Sequence, residues 1–137
     1  MKKNLIIITA IVLIALAFSF CSKSSGPTPD FKYLGTWTGQ NSYSYPVEIR
    51  VANVSNKQKI TYIELIAAAK WDSINFINSS TSGLTEIIDD SFSYTDTDLY
   101  TITIDGTFQS ETSLNGTFNV TFTDDPPMSG TYTVTKQ

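Results

Sequence analysis

The chain has 137 residues, of which 41% are hydrophobic and 16% charged, enough for one globular domain and too little for two. It contains no histidine and one cysteine, Cys21. Together these exclude a Ser-His-Asp triad, a Cys-His dyad, a Cys/His zinc site and any internal disulfide. Nine Lys/Arg against thirteen Asp/Glu give a net charge of −4, and no basic patch with interleaved aromatics occurs, so nucleic acid is not an expected partner.

The N-terminus reads as an export signal. Met1-Lys2-Lys3-Asn4 is basic, and residues 5–20 are apolar apart from Thr9 and Ser19, the layout of a secretory signal peptide. Three readings of Cys21 stay open. Residues 16–20 lead into it like a lipobox, although Phe20 stands where a small residue is usual. Alternatively, Ala15-Leu16-Ala17 is an ordinary cleavage site, or residues 5–21 are a short uncleaved anchor. The lipoprotein reading is preferred, because it gives an otherwise unpaired thiol a covalent use. Several acyl chains also hold a protein stably, where one holds weakly. Loss of Lys2 and Lys3 leaves seven basic residues against thirteen acidic, a mature charge of −6.

Residues 22–30 form a tether, Ser-Lys-Ser-Ser-Gly-Pro-Thr-Pro and Asp30, flexible through serine and glycine and extended through its prolines. The expected organisation is therefore a signal over residues 1–21, a linker over 22–30 and one folded domain over 31–137.

That domain reads as strands. Residues 34–39 form the first. Val47, Ile49 and Val51 alternate with Glu48, Arg50 and Ala52 at the period of a half-buried strand. Residues 53–57 are a turn and 59–66 a further strand, rich in β-branched residues. Residues 64–71 also contain good helix formers, so strand and short helix both remain possible between 64 and 88. Residues 78–83 are a loop. Residues 84–88 and 91–95 read as short strands around Asp89-Asp90. Tyr100, Ile102 and Ile104 alternate with threonines, and Leu114, Gly116, Phe118, Val120 and Phe122 mark one face of a long strand. Asp124-Asp125-Pro126-Pro127 must be a turn, since prolines cannot join a central ladder. Tyr132 and Val134 belong to the last strand.

Gly-Thr-aromatic occurs four times, at Gly35-Thr36-Trp37, Gly106-Thr107-Phe108, Gly116-Thr117-Phe118 and Gly130-Thr131-Tyr132. The spacing is too short and irregular for a solenoid and fits strands of a meander. The expected fold is all-β, a single antiparallel meander of about eight strands, barrel-like, with an open β-sandwich as the alternative. Gly35-Thr36-Trp37-Thr38-Gly39, Ser91-Phe92-Ser93-Tyr94, the segment from Gly106 to Ser110, Gly116-Thr117-Phe118 and the segment from Gly130 to Val134 resemble a type of small secreted bacterial β-domain. Such domains are often lipoproteins of Gram-negative envelopes, lipocalin-like or sandwich-like in fold. The resemblance covers residue 34 to the end. It implies an envelope location and no established catalytic residues.

Candidate chemistry is sparse. Asp89-Asp90, Asp96 with Asp98, and Asp124-Asp125 supply oxygen ligands of the kind calcium takes. They lack the EF-hand pattern and read first as solvated turns. Glu48, Glu64, Glu86 and Glu111 offer no spacing that singles out a glycosidase pair. Tyr43 and Tyr45, with Trp37 or Trp71, are a candidate sugar-stacking platform. A barrel interior can hold a small hydrophobe or be filled by side chains, and filling is the preferred reading. Four N-x-S/T sequons read as a by-product of composition. The expected function is thus a non-catalytic, monomeric envelope lipoprotein without metal or cofactor. It binds a glycan or small hydrophobic ligand, or alternatively serves a protein-interaction or structural role, inhibition of a hydrolase included.

Overall fold

The structure, a computed structural model, describes residues 31–69 and 72–137. The readings placed on residues 1–30, Cys21 among them, and on Trp71 lie outside the described residues. Nine strands follow one another: β1 Gly35–Asn41, β2 Pro46–Val54, β3 Lys57–Ala69, β4 Asp72–Ser79, β5 Thr85–Glu86, β6 Ser91–Asp96, β7 Thr101–Phe108, β8 Ser113–Thr121 and β9 Met128–Lys136. All pairings are antiparallel, in the order β4-β3-β2-β1-β9-β8-β7-β6, with β5 on the outer edge of β3 below β4. The fold is therefore all-β, one curled sheet in the form of a half-barrel, and not two stacked sheets. Among the described residues no helix is long and apolar enough to cross a membrane.

Each strand follows from a period-two pattern. In β2, Val47, Ile49 and Val51 are buried; in β7, Ile102, Ile104 and Phe108; in β8, Leu114, Phe118 and Val120. Each such side chain contributes ~1.5–3 kcal/mol on leaving water. The helix-forming stretch is a strand as far as Ala69. Leu65 and Ala67 point inward, whereas Glu64, Ile66 and Ala68 are only half-buried. Ladders to β2 and β4 on both sides outweigh a propensity difference of a few tenths of a kcal/mol per residue.

Two devices curl the sheet. A register shift beside Arg50 and Val51 inserts one extra residue, Thr61, into β3, and its hydroxyl donates to the Arg50 carbonyl; such bulges bend a strand and increase its twist. Tight hairpins do the rest. Ser55-Asn56 and Asp89-Asp90 all have positive φ, the pattern of two-residue turns whose twist matches that of the strands.

The Gly-Thr-aromatic motif has a packing explanation. In the β8–β9 ladder Gly116 lies opposite Tyr132, and Phe118 opposite Gly130. Each ring covers the glycine across from it: a Cβ on Gly116 would run into the Tyr132 ring, and one on Gly130 into the Phe118 ring. The Tyr132 hydroxyl donates to the Asp105 carbonyl at 2.9 Å, and burial pushes its pKa far above the ordinary value.

The strands have two sets of ends. One set comprises residue 35, the turn at 55–56, residues 80–90, residues 109–112 and the C-terminus. It is closed by Tyr33, which stacks on Phe108 at 4.0 Å between centroids and meets Trp37 edge-on at 6.4 Å. Trp37 Nε1 donates to the Tyr33 carbonyl at 2.9 Å, Tyr33 N to Gln58 Oε1 at 2.7 Å, and the Tyr33 hydroxyl to Asp90 Oδ1 at 2.7 Å. Lys32 adds an ion pair to the same oxygen at 3.0 Å. The opposite ends carry the loops at 42–45, 97–100 and 122–127.

Candidate functional site

Curling brings the two ends of the sheet, β4 and β6, side by side. No ladder joins them; side chains do. Inward positions on β4 run Ile74, Phe76, Asn78, and on β6 Phe92, Tyr94, Asp96. Both strands thus turn from apolar to polar where they meet. Asn78 Nδ2 donates to the Tyr94 hydroxyl at 2.6 Å and to Asp96 Oδ2 at 2.7 Å, and the Tyr94 hydroxyl donates to the same Asp96 oxygen at 3.1 Å. Burial first, and then the Asp96 carboxylate, push the Tyr94 phenol up to about 12. The phenol therefore stays a neutral donor. Inward polar groups at sheet edges also discourage edge-to-edge aggregation.

Beside this bridge the seam opens into a cleft of about 280 Å³. Its lining includes the buried Phe76 and Ile102, polar Asn75, Asn78, Asp96 and Asp98, and Tyr100. The Tyr100 ring leans on Phe122 at 5.8 Å, and burial, then the charge of Asp96, raise its pKa. Ile77 and Leu99 also line it, 55% and 86% exposed. Leu99, nearly bare at the rim, would be covered by a group bound in the cleft.

The aromatic residues singled out in the sequence are dispersed. Trp37 is 0% exposed and presents no face to a ligand: its indole fills the closed end. This corrects its place in a sugar platform, because a tryptophan on the inward face of a central strand is core. Tyr43 and Tyr45 are 37% and 38% exposed on the β1–β2 loop. Buried Asn41 fixes that loop by accepting from the Tyr43 and Tyr45 amides and donating to the Ile66 carbonyl. Tyr43 also donates to the Ser129 carbonyl at 2.8 Å and lies near Phe118. The loop is held by these bonds, but β3 separates it from β4, and three strands separate it from β6. It does not belong to the cleft.

The acidic candidates divide similarly. Glu48 and Glu64 lie directly opposite each other in the β2–β3 ladder, a proximity that sequence spacing could not reveal. They face outward. Arg50 pairs with Glu48 at 2.5 Å and covers the Tyr62 ring, while the Tyr62 hydroxyl donates to Glu64 at 2.8 Å. Among the described residues no three His, Cys, Asp or Glu side chains converge on a possible metal position; Asp96 and Asp98 face the cleft instead.

Comparison with protein-family models, curated proteins and solved structures returned no match for this chain. The cleft therefore has to be interpreted from its own chemistry. Asn75, Asn78 and Tyr100 were not singled out from the sequence. The available signal was the break in alternation, where Phe76 is followed by Asn78 and Phe92 by Tyr94 and Asp96.

Proposed function

We propose that this chain is a non-catalytic binding module of the bacterial cell envelope, held by a lipid on Cys21 and lifted from the membrane by residues 22–30, and that the β4–β6 cleft binds a sugar residue of a glycan. The observation that carries this reading is the join between an apolar floor and a polar wall in one small cleft. Phe76, Ile102 and Tyr100 offer surface to the C–H faces of a sugar, and Asn75, Asn78, Asp96 and Asp98 offer acceptors and donors to its hydroxyls. At about 280 Å³ the cleft lies just below the ~300–1,000 Å³ of drug-sized sites, which suits one sugar unit. A free hydrophobe is the weaker ligand class, because the space inside the sheet is already filled by packed core side chains, with rings lying over the inward glycines. The absence of histidine and the outward placement of Glu48 and Glu64 argue for binding without turnover.

The test is a titration of the protein, produced from its own leader and ¹⁵N-labelled, with a panel of neutral and charged oligosaccharides. Binding in the cleft moves the side-chain amide signals of Asn75 and Asn78 and leaves those of Asn53 and Asn56 at the far end unchanged. Saturation without movement of Asn75 and Asn78 refutes the site. Exposed Leu99 and Ile77 favour a second reading, docking of a protein partner on the cleft rim. That reading predicts no response to any oligosaccharide.

A further inference from the structure

The cleft has a charge as well as a shape. Among its lining residues Asp96 and Asp98 are acidic and none is basic. The surroundings reinforce this. Of the described lysines, Lys32, Lys57, Lys59 and Lys136 all lie at the closed end. There Lys32 pairs with Asp90 and Lys57 with Glu86 at 2.7 Å, while Lys136 donates to the Lys32 carbonyl. The open end carries Asp96, Asp98, Asp124 and Asp125 without a described lysine or arginine. Carboxylates gathered around one mouth raise the local concentration of cations. Within the cleft, the Asp96 carboxylate is fixed by Asn78 and Tyr94, so its orientation is set before a ligand arrives. Tyr100 adds an aromatic face of the kind that attracts ammonium groups.

Building on the cleft reading above, we infer that the sugar bound there carries a protonated amine: a hexosamine unit with a free amino group, its ammonium directed to Asp96 and Asp98. Among the described residues no cation faces Asp96 or Asp98, so a neutral sugar would bring them no counter-charge, and a uronate or phosphosugar would be repelled.

The experiment compares three probes at about pH 6, a pH at which an amine beside electron-withdrawing oxygens is largely protonated, as an α-amino group of pKa ~7.7–8.0 is: a glucosamine tetramer, its fully N-acetylated counterpart and a galacturonate tetramer. Calorimetry gives affinity, and the Asn75 and Asn78 amide signals give location. The expected result is binding of the free-amine tetramer at the cleft, at least tenfold tighter than the N-acetylated form, and no binding of the galacturonate. Asp98→Asn weakens the free-amine tetramer five- to tenfold. The double variant Asp124→Asn/Asp125→Asn, at the same end but outside the cleft, leaves its affinity within twofold. Equal affinity for the acetylated tetramer, or equal loss in both variants, overturns the amine assignment while the cleft remains a sugar site. Silence of Asn75 and Asn78 with all three probes overturns both.

Discussion

At the closed end, aromatic rings fill the space inside the strands. Tyr33 stacks on Phe108 and meets Trp37 edge-on, and among the described residues no buried side-chain polar atom lacks a partner. At the β4–β6 seam rings also meet, Phe76 with Tyr94 at 6.3 Å, but polar side chains share the seam: Asn78 bonds the Tyr94 hydroxyl and Asp96. An apolar cluster shrinks until it is dry. A cluster crossed by Asn78 and Asp96 stops short and leaves room. The difference is also one of charge: among the described residues, Asp90 and Glu86 at the closed end pair with Lys32 and Lys57, and no lysine or arginine pairs with Asp96 or Asp98 at the seam.

The comparison can be broken most severely at Tyr33. Tyr33→Ala removes a buried ring and should cost ~3–5 kcal/mol, lowering the melting temperature by more than 10 °C at ~4–8 °C per kcal/mol. Leu99→Ala, equally apolar but at the cleft rim, should stay within ~0.5 kcal/mol. Thermal unfolding of the two variants measures the contrast, and equal losses would remove the distinction between a filled end and an open one. Next in size is Gly116→Ala, whose new methyl has no space beneath the Tyr132 ring; overpacking should cost ~1–3 kcal/mol. A variant as stable as the parent would show that the ring moves aside freely. Asn78→Ala should cost about 1 kcal/mol and abolish ligand-induced changes in the cleft. Undiminished binding in that variant would place the site elsewhere.

The pH response should separate the two regions as well. Hydrogen bonding from Tyr33, then the Lys32 ammonium, hold the Asp90 carboxyl below its usual value. Its stabilisation is therefore complete above the ordinary carboxylate pKa and is lost as pH falls through the lowered folded value. Tyr94 works in the opposite direction. Its pKa is raised to about 12 from 10.0, so the seam is fully stabilised below pH 10 and loses that contribution as pH rises towards 12. Acid titration followed through a Tyr33 proton, and alkaline titration followed through Tyr94, would report the closed end and the seam respectively. Coincident midpoints in both would contradict the assignment.

The smallest effect concerns the turns. Asn56→Gly relieves a positive φ of 61° and should stabilise by ~0.5 kcal/mol. Asp90→Gly relieves the same conformation but discards the bonds to Tyr33 and Lys32, and should be net destabilising. Chemical denaturation of the pair tests the opposite signs.

The strand pattern, the absence of histidine and the proline-bearing turn were legible in the sequence, because period-two alternation and residue chemistry are local properties. So was the inward face of β8, from Leu114 to Val120. The conformation of residues 64–69 was not legible. Its composition suits a helix, and only ladders with β2 and β4, distant partners in space, decide for a strand. Trp37 shows the same limit from the other side. Its position in a strand was evident, but whether its ring faced a ligand or Tyr33 depended on which end of the sheet the preceding turn closes.

The cleft belongs wholly to tertiary structure. Asn78 and Asp96 are eighteen residues apart, and nothing local predicts that they meet. They meet because a sheet bent by a bulge at Thr61 and tightened by two hairpins curls far enough to face its own edges. The sequence determined which side chains point inward, since that alternates residue by residue. Which inward side chains remain separated by polar groups, and so form a site instead of a core, was decided only when the curled backbone set the distance between β4 and β6.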